Sequence, residues 1–276
     1  MKWLHFILSH SIFIAICAVA MAFQTAQLRH FSVKLPVYGF IFFATLCSYN
    51  FYWVLSRLSF LKGPVTAGFI KKEAIAISLF VFSGAGLLYC LSQSSIPISF
   101  VLTACLLTVL YSIPLLPFKF LSFTRRLGVL KTIILAFTWT YVTAFIPIQK
   151  NYLLLDNADL FIITRRFLFM LMLCIIFDSR DIAVDKLRGL RSLATDLSPA
   201  ILQLLIYSVF IVLFGTNLLS TSYGITIYQS IALQVSTITL LIVYFYSTRK
   251  QGYLFYYFLV DGLMLFSALA TFIASI

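Results

Sequence analysis

Three aspartates in the second half of the chain have the spacing of one helical face. Asp178, Asp181 and Asp185 are three of only eight acidic residues among 276. At about 100° per residue they fall within an arc of roughly 60° on a helix, stacked about one turn apart. Carboxylate oxygens in this arrangement suit Mg²⁺, which is usually held by one or two carboxylates together with substrate phosphates. The spacing therefore predicts a metal-assisted phosphate site.

Cations flank the same aspartates. They are Arg180, Lys186, Arg188 and Arg191. Guanidinium and ammonium groups bind phosphate oxygens directly, so these residues are candidates for holding the phosphate itself. A simpler interpretation is that acids and bases form i,i+4 pairs on a solvated loop. Ionisable groups at the end of an apolar helix are costly to hold unless they bind something, which favours the binding site.

The composition is that of an integral membrane protein. Hydrophobic residues make up 62% of the chain, charged residues 10%, and the mean hydropathy is +1.04, which excludes a soluble globular domain. A spanning helix needs about 20 mostly apolar residues. Such runs lie near residues 4–28, 35–58, 73–93, 96–117, 128–148, 158–180, 199–219, 224–247 and 253–275. The sequence thus predicts an all-α bundle of about nine transmembrane helices, in a single domain over residues 1–276.

The five cysteines all lie inside these apolar runs without a close pair. This placement is typical of small packing residues rather than of disulfides or metal ligands.

The net charge of +12 indicates orientation rather than nucleic-acid binding. Nine spans place the N-terminus and the connections after the second, fourth, sixth and eighth runs on one side of the membrane. That side collects fifteen of the twenty Lys and Arg residues. The positive-inside rule then predicts a multi-pass protein of the cytoplasmic membrane, with the N-terminus and the aspartates facing the cytoplasm. The lipid bilayer is an expected partner and nucleic acid is not.

The aspartate segment also has a family resemblance. Asp178-x-x-Asp181-x-x-x-Asp185-x-x-x-Gly189, at the end of the sixth predicted span, resembles the second aspartate-rich motif of the UbiA superfamily of intramembrane prenyltransferases. The segment around Tyr111 is similar to the family's connection between helices four and five. Its residues are Tyr111, Ser112, Pro114, Lys119, Arg125, Arg126, Gly128, Lys131 and Trp139. Asp261-Gly262 in the last predicted span resembles family members as well.

The resemblance implies a UbiA-like bundle of nine helices around a central cavity, with a hydrophobic tunnel for an isoprenoid tail. It implies a prenyl diphosphate donor bound through Mg²⁺, which two aspartate-rich motifs hold, and an aromatic or other lipophilic acceptor. Ionisation of the allylic C–O bond leaves a carbocation and a diphosphate. Metal and basic side chains must stabilise that departing charge.

The first aspartate-rich motif departs from the family pattern. Family members commonly have Asn-x-x-x-Asp-x-x-x-Asp at the end of helix two, whereas this chain has Asn50, Val54 and Leu58 at those positions. Half of the expected metal cage is therefore missing. Glu73 is the only acid between residues 1 and 155, and it lies well past the motif. We therefore expect no replacement carboxylate there.

The spacing of the aspartates and the family resemblance together predict the residues of the site. The predicted metal ligands are Asp178, Asp181, Asp185 and Asn50. The predicted diphosphate-binding residues are Arg57, Lys119, Arg126, Lys131 and Arg180. The predicted catalytic residues are Asp181, Asp185 and Tyr111.

Several of these residues have a second interpretation. Asn50 is equally suited to a hydrogen bond between helices. The cations Arg57, Lys119 and Arg126 would serve as headgroup anchors at helix ends. Tyr111 either lies in an interfacial aromatic belt or faces the cavity, where its ring would stabilise a cation.

Two functions remain open from the sequence. The first is a Mg²⁺-dependent prenyltransferase, which the intact second motif favours. The second is a non-catalytic protein of the same fold that binds an isoprenoid lipid or a partner protein, which the altered first motif favours. The acceptor, the prenyl chain length, the oligomeric state and the role of Asp261 are not determined by the sequence.

Overall fold

The computed structural model describes residues 2–58, 68, 71, 73–112, 128–148, 154–188 and 191–276. Across these ranges the regular structure is helical, with no strand. The predicted diphosphate-binding residues Lys119 and Arg126 lie outside the described residues, as do Pro114 and Gly189.

The helices follow the predicted apolar runs closely. Their bounds are α1 Lys2–Ser9, α2 Ile12–Leu28, α3 Leu35–Leu58, α4 Ala74–Gln93, α5 Ile98–Ser112, α6 Gly128–Ile148, α7 Asn157–Arg188, α8 Leu193–Asp196, α9 Pro199–Leu218, α10 Ile227–Ser247 and α11 Phe255–Ile273. The predicted all-helical membrane fold is confirmed. Helix α7 continues to Arg188, so all three aspartates lie on one unbroken helix.

The predicted count of nine spans is not confirmed. Within the described residues, seven helices are long and apolar enough to cross a membrane. Helices α1 and α2 would together make an eighth, but they are bent by 69° at residues 10–11. Ser11 has the left-handed φ of 64°, which interrupts the helical hydrogen-bond ladder at that point. The described part of α5 has only 15 residues.

Helix α7 occupies the centre of the bundle. Every residue from Phe169 to Ile176 is at most 8% exposed, so the helix is covered on all sides. It packs against α6, α8, α9 and α10. The peripheral helices instead expose large apolar side chains, such as Leu88, Leu106 and Leu204. Their exposed surface suits contact with lipid tails.

The two ends of α7 mark the two ends of the bundle. We call the end that carries Asp178, Asp181 and Asp185 the aspartate end, and the end where α7 begins at Asn157 the far end. The C-termini of α3 and α5 and the N-termini of α6 and α11 lie at the aspartate end. Helix ends that are distant in sequence therefore meet around the aspartates.

The five cysteines are free thiols; Cys17, Cys90 and Cys174 are buried, whereas Cys105 is exposed.

Candidate functional site

Asp178 is held by a residue of the neighbouring helix. The hydroxyl of Thr132, in the second turn of α6, donates a hydrogen bond to the Asp178 carboxylate. The same hydroxyl oxygen accepts the backbone N–H of Leu193, at 3.3 Å, from the start of α8. Thr132 is only 1% exposed. One buried hydroxyl therefore joins α6, α7 and α8 at the carboxylate.

Gly128 allows this close approach. It is buried at the first position of α6, against the segment that leads into α8. A Cβ at this position would lie 2.6 Å from the backbone nitrogen of Ser192 and 2.8 Å from the backbone carbon of Arg191. Only glycine fits between the two backbones without displacing one of them.

A cation and an aromatic ring lie beside the aspartates. The Lys131 ammonium lies 5.8 Å from the centre of the Tyr111 ring and interacts electrostatically with Asp178 and Asp185. Tyr111 in turn stacks on Tyr52 of α3, with ring centres 5.2 Å apart and planes 25° apart. Helices α3, α5, α6 and α7 thus each contribute a side chain to one cluster. This places Tyr111 inside the bundle, next to the charged residues.

Arg180 is fixed by an ion pair and by rings. Its Nε and Nη2 both donate to the Asp181 carboxylate at 2.7 Å. The guanidinium carbon lies 4.9 Å from the Phe177 ring centre, 5.2 Å from that of Tyr256 and 5.0 Å from that of Tyr257. Its Nη1 is buried and has no hydrogen-bond partner within the described residues. A cation held this way keeps its Nη1 group available to donate to a ligand.

Asp261 belongs to the same end of the bundle. It is 4% exposed and interacts electrostatically with Arg180, and its Oδ1 has no hydrogen-bond partner in the described part of the chain. Its position follows from a π-helical turn at the start of α11, Phe255–Val260, which also presents Tyr256 and Tyr257 to Arg180. Asp261 therefore lies at the same end of the bundle as the α7 aspartates.

The end of α3 is arranged differently from the prediction. The indole N–H of Trp53 donates to the Glu73 carboxylate at 3.0 Å, and Arg57 stacks over the Trp53 ring at 4.6 Å while its Nε lies 3.9 Å from Glu73. The expectation that no carboxylate lies near this motif is wrong, because the chain after α3 returns Glu73 to it. Arg57 is engaged here, and none of the ion pairs of the described residues joins it to an α7 aspartate.

Asn50 contacts the backbone of its own helix and of the bend between α1 and α2. Its side-chain amide donates to the Leu46 carbonyl at 2.8 Å and to the His10 carbonyl, at the bend between α1 and α2, at 3.5 Å. Asn50 is 3% exposed. The second interpretation of Asn50 from the sequence was a structural hydrogen bond between helices, and the contact with His10 is of this kind. The predicted role as a metal ligand would rest on the remaining amide oxygen.

The carboxylates do not form a preassembled cage. Among the described residues there is no group of three or more His, Cys, Asp or Glu side chains close enough to hold a metal ion. Asp181 is paired with Arg180, whereas Asp178 and Asp185 interact electrostatically with each other. Among the described residues, Asp178 and Asp185 are therefore the two α7 aspartates that no ion pair engages.

Comparison with known proteins identifies the fold. No protein-family model matches the sequence, and no curated protein matches it either. Among solved structures, a UbiA homologue from Aeropyrum pernix K1 matches with a TM-score of 0.66 at 13% sequence identity, over 96% of this chain and 97% of that one. The chain has the UbiA fold. A digeranylgeranylglyceryl phosphate synthase structure matches with a TM-score of 0.54 at 14% identity, over 97% of this chain and 95% of that one.

Several side chains in this UbiA fold could not be singled out from the sequence. Tyr52, Thr132, Tyr256 and Tyr257 contact the predicted site residues but belong to residue types that fill membrane helices in general. The one indication in the sequence was that Thr132 directly follows Lys131, a predicted site residue. The others are recognisable only once the helices are packed.

Proposed function

We propose that this protein is an intramembrane prenyltransferase, which transfers an isoprenyl group from a prenyl diphosphate to a lipophilic, preferably aromatic acceptor. The observation that carries the proposal is the cluster of Asp178, Asp185, Lys131 and Tyr111 at one end of a UbiA fold. Carboxylates, a cation and a ring in one place supply what a diphosphate leaving group and an allylic carbocation require. One of the matching structures is a synthase of a digeranylgeranylglyceryl phosphate in membranes.

Mg²⁺ is the proposed cofactor, and the donor set fits it. Asp178 and Asp185 would hold the ion, since Mg²⁺ commonly takes one or two carboxylates and completes its coordination with water and substrate phosphates. Asp181 and the amide oxygen of Asn50 remain the further predicted ligands. The chemistry that the metal supplies when bound is neutralisation of the diphosphate charge as the C–O bond breaks.

The remaining residues have separate proposed roles. Lys131 binds diphosphate oxygens, because its ammonium already lies among the carboxylates that would face the same group. The Tyr111 ring, held by stacking on Tyr52, stabilises positive charge on the allylic carbons. The free Nη1 of Arg180 is a second donor to the diphosphate. We propose that this end of the bundle faces the cytoplasm, as the distribution of cations in the sequence predicts.

A non-catalytic isoprenoid-binding protein is the second candidate. It is favoured by the engagement of Asp181 with Arg180 and by Val54 and Leu58 at the family's first-motif aspartate positions. In that case the aspartate end would bind a prenyl diphosphate without breaking its C–O bond.

The experiment is a measurement of Mg²⁺-dependent diphosphate release. Purified full-length protein is incubated with labelled prenyl diphosphates of several lengths and a membrane lipid extract as the source of acceptor. Asp178→Asn and Asp185→Asn are compared with wild type. The matched control is Asp156→Asn, the same chemical change at an aspartate of the far end, which pairs with Arg29.

The two candidate functions give different results. A prenyltransferase releases diphosphate with wild type and Asp156→Asn and loses release in the two α7 variants, and the labelled product identifies the acceptor. Binding of the donor by folded wild-type protein, with no release at any chain length, would establish the non-catalytic alternative. Neither release nor binding would reject both.

A further inference from the structure

Two adjacent arginines are buried near the far end of α7. Arg165 is 2% exposed and Arg166 is 1% exposed, in a helix that runs through the centre of the bundle. None of the ion pairs of the described residues includes either of them. The acids of the far end, Asp156 and Asp159, are paired with Arg29. Within the described part of the chain, two guanidinium charges thus lie inside the protein with no carboxylate paired to either.

Arg166 is held in one orientation. Its Nη2 donates to the side-chain oxygen of Gln24 at 3.0 Å and to the Thr25 hydroxyl at 3.1 Å, and its Nη1 donates to the Thr143 hydroxyl at 3.4 Å. These partners lie on α2 and α6. They are neutral, so they orient the guanidinium without neutralising its charge.

The partners of Arg166 are themselves fixed. The Gln24 amide nitrogen donates to the backbone and side chain of Ser267 and to the Thr271 hydroxyl, so its oxygen is left to face Arg166. Pro147 has no N–H with which to bond the Thr143 carbonyl, and that carbonyl accepts the Thr25 hydroxyl at 2.8 Å instead. The network therefore sets the position of Arg166 before any ligand arrives.

Donors remain free on both side chains. The Nε of Arg165 and the Nε of Arg166 are buried and have no hydrogen-bond partner among the residues that the structure describes. Burying a charge costs several kcal/mol unless it is paired and hydrogen-bonded. Ionisable groups inside a membrane protein that lack a partner in the chain mark a binding function by default. The missing partner must be anionic and must accept from more than one guanidinium donor.

We propose that Arg165 and Arg166 form a second binding site, for an oxyanion such as a phosphate or carboxylate group. Planar guanidinium groups match such oxygens geometrically and bind them more strongly than neutral donors do. Arg165 supplies its Nε and its charge, and the pre-oriented Arg166 supplies its own Nε and charge. The oxyanion is either a free ion or the headgroup of an anionic lipid.

The site is separate from the aspartate end. Arg166 and Asp178 are twelve residues apart on α7, which corresponds to about 18 Å along the helix axis. The inference therefore does not depend on the proposed prenyl transfer, and its test measures no turnover.

The test is ligand-dependent thermal stability of the purified full-length protein. Sodium phosphate is compared with sodium chloride at equal ionic strength in neutral detergent, and phosphatidylglycerol is compared with phosphatidylcholine in nanodiscs. Arg165→Gln is the main variant, because it removes one charge and leaves the hydrogen bonds of Arg166 in place. Lys34→Gln is the control, since it removes an exposed cation from the far end.

The site is supported if the wild-type Tm rises by roughly 5 °C or more when the anion is present at a hundredfold excess over its Kd. The Lys34→Gln variant should show the same rise in Tm, and the Arg165→Gln variant should not. A rise with phosphate assigns a free anion, and a rise with phosphatidylglycerol alone assigns a lipid headgroup. Without ligand, Arg165→Gln should melt no lower than wild type, because an unpaired buried charge has been removed.

The proposal is overturned if neither anion stabilises wild type, or if Arg165→Gln keeps the full shift. Should Arg165→Gln not fold, Arg165→Lys replaces it. That variant keeps the charge and loses the planar fork, so a reduced shift supports the site and an unchanged shift rejects it.

Discussion

A methyl group at Gly128 tests whether the close contact between α6 and the start of α8 positions the aspartate end. In Gly128→Ala the new Cβ would lie 2.6 Å from the Ser192 backbone nitrogen and 2.5 Å from the Asp196 side chain. The Asp196 carboxylate can rotate away, but the backbone at Ser192 cannot. Ordinary van der Waals contact begins near 3.4 Å, so the segment must move by about 0.8 Å.

The size of the effect follows from this overlap. Forcing an extra carbon into a closely packed site costs about 1–3 kcal/mol. For a protein of this size, 1 kcal/mol corresponds to roughly 2–4 °C in Tm, so Gly128→Ala should lower Tm by roughly 2–12 °C. The displaced segment carries the Leu193 N–H that bonds Thr132, which in turn holds Asp178. Diphosphate release should therefore fall as well.

Gly84→Ala is the matched control. Gly84 lies inside α4, and a Cβ there meets nothing within 4 Å. Alanine in a helix interior is more stable than glycine by roughly 0.5–1 kcal/mol, so this variant should melt slightly higher than wild type. Both melting curves are measured by intrinsic fluorescence in the same detergent. Equal Tm values for the two variants would refute the argument that backbone contact at Gly128 positions this end.

Three further predictions concern the aspartate end. Lys131→Met should raise the KM for the prenyl diphosphate by about 10- to 100-fold, because a charge-assisted hydrogen bond contributes about 1.5–3 kcal/mol. An unchanged KM in steady-state kinetics would show that Lys131 does not bind the diphosphate. Tyr111→Phe should keep most of kcat because it keeps the ring over which Lys131 lies, whereas Tyr111→Leu should lose most of kcat. Equal rates for the two variants would rule out a role for the ring. Asp181→Asn should lower the free energy of unfolding by no more than about 1 kcal/mol, because its ion pair with Arg180 is partly exposed. A larger loss of stability in a thermal melt would contradict the view that this is a weak surface ion pair.

The helices were predictable because long apolar runs end at charged or helix-breaking residues. The bounds of α3 and α6 coincide with the predicted 35–58 and 128–148. The bend between α1 and α2 was not predictable, since no Gly or Pro marks it and Ser11 adopts its left-handed conformation only in context. The extension of α7 beyond residue 180 was implied by the helical spacing of the aspartates, although hydropathy alone ends the run earlier.

The site was predictable by residue type but not by pairing. Asp178, Lys131 and Tyr111 were named from the sequence, and the structure brings them together. The hydrogen bond from Thr132 joins residues 46 positions apart, and no helical period relates them. The same holds for Arg180 and the rings of α11. Such contacts depend on which helices become neighbours, which one sequence does not specify.

The charge distribution at the aspartate end follows from what α3 contributes. In the family pattern two aspartates would stand where this chain has Val54 and Leu58. Here α3 contributes Tyr52, which supports the Tyr111 ring, while the carboxylate that returns to α3, Glu73, is engaged by Trp53 and Arg57. Under the proposed function, carboxylate charge for a metal comes from α7 alone, and α3 supplies aromatic surface instead. The donor diphosphate would accordingly lie against α6 and α7, with its allylic carbons toward the tyrosines of α3 and α5.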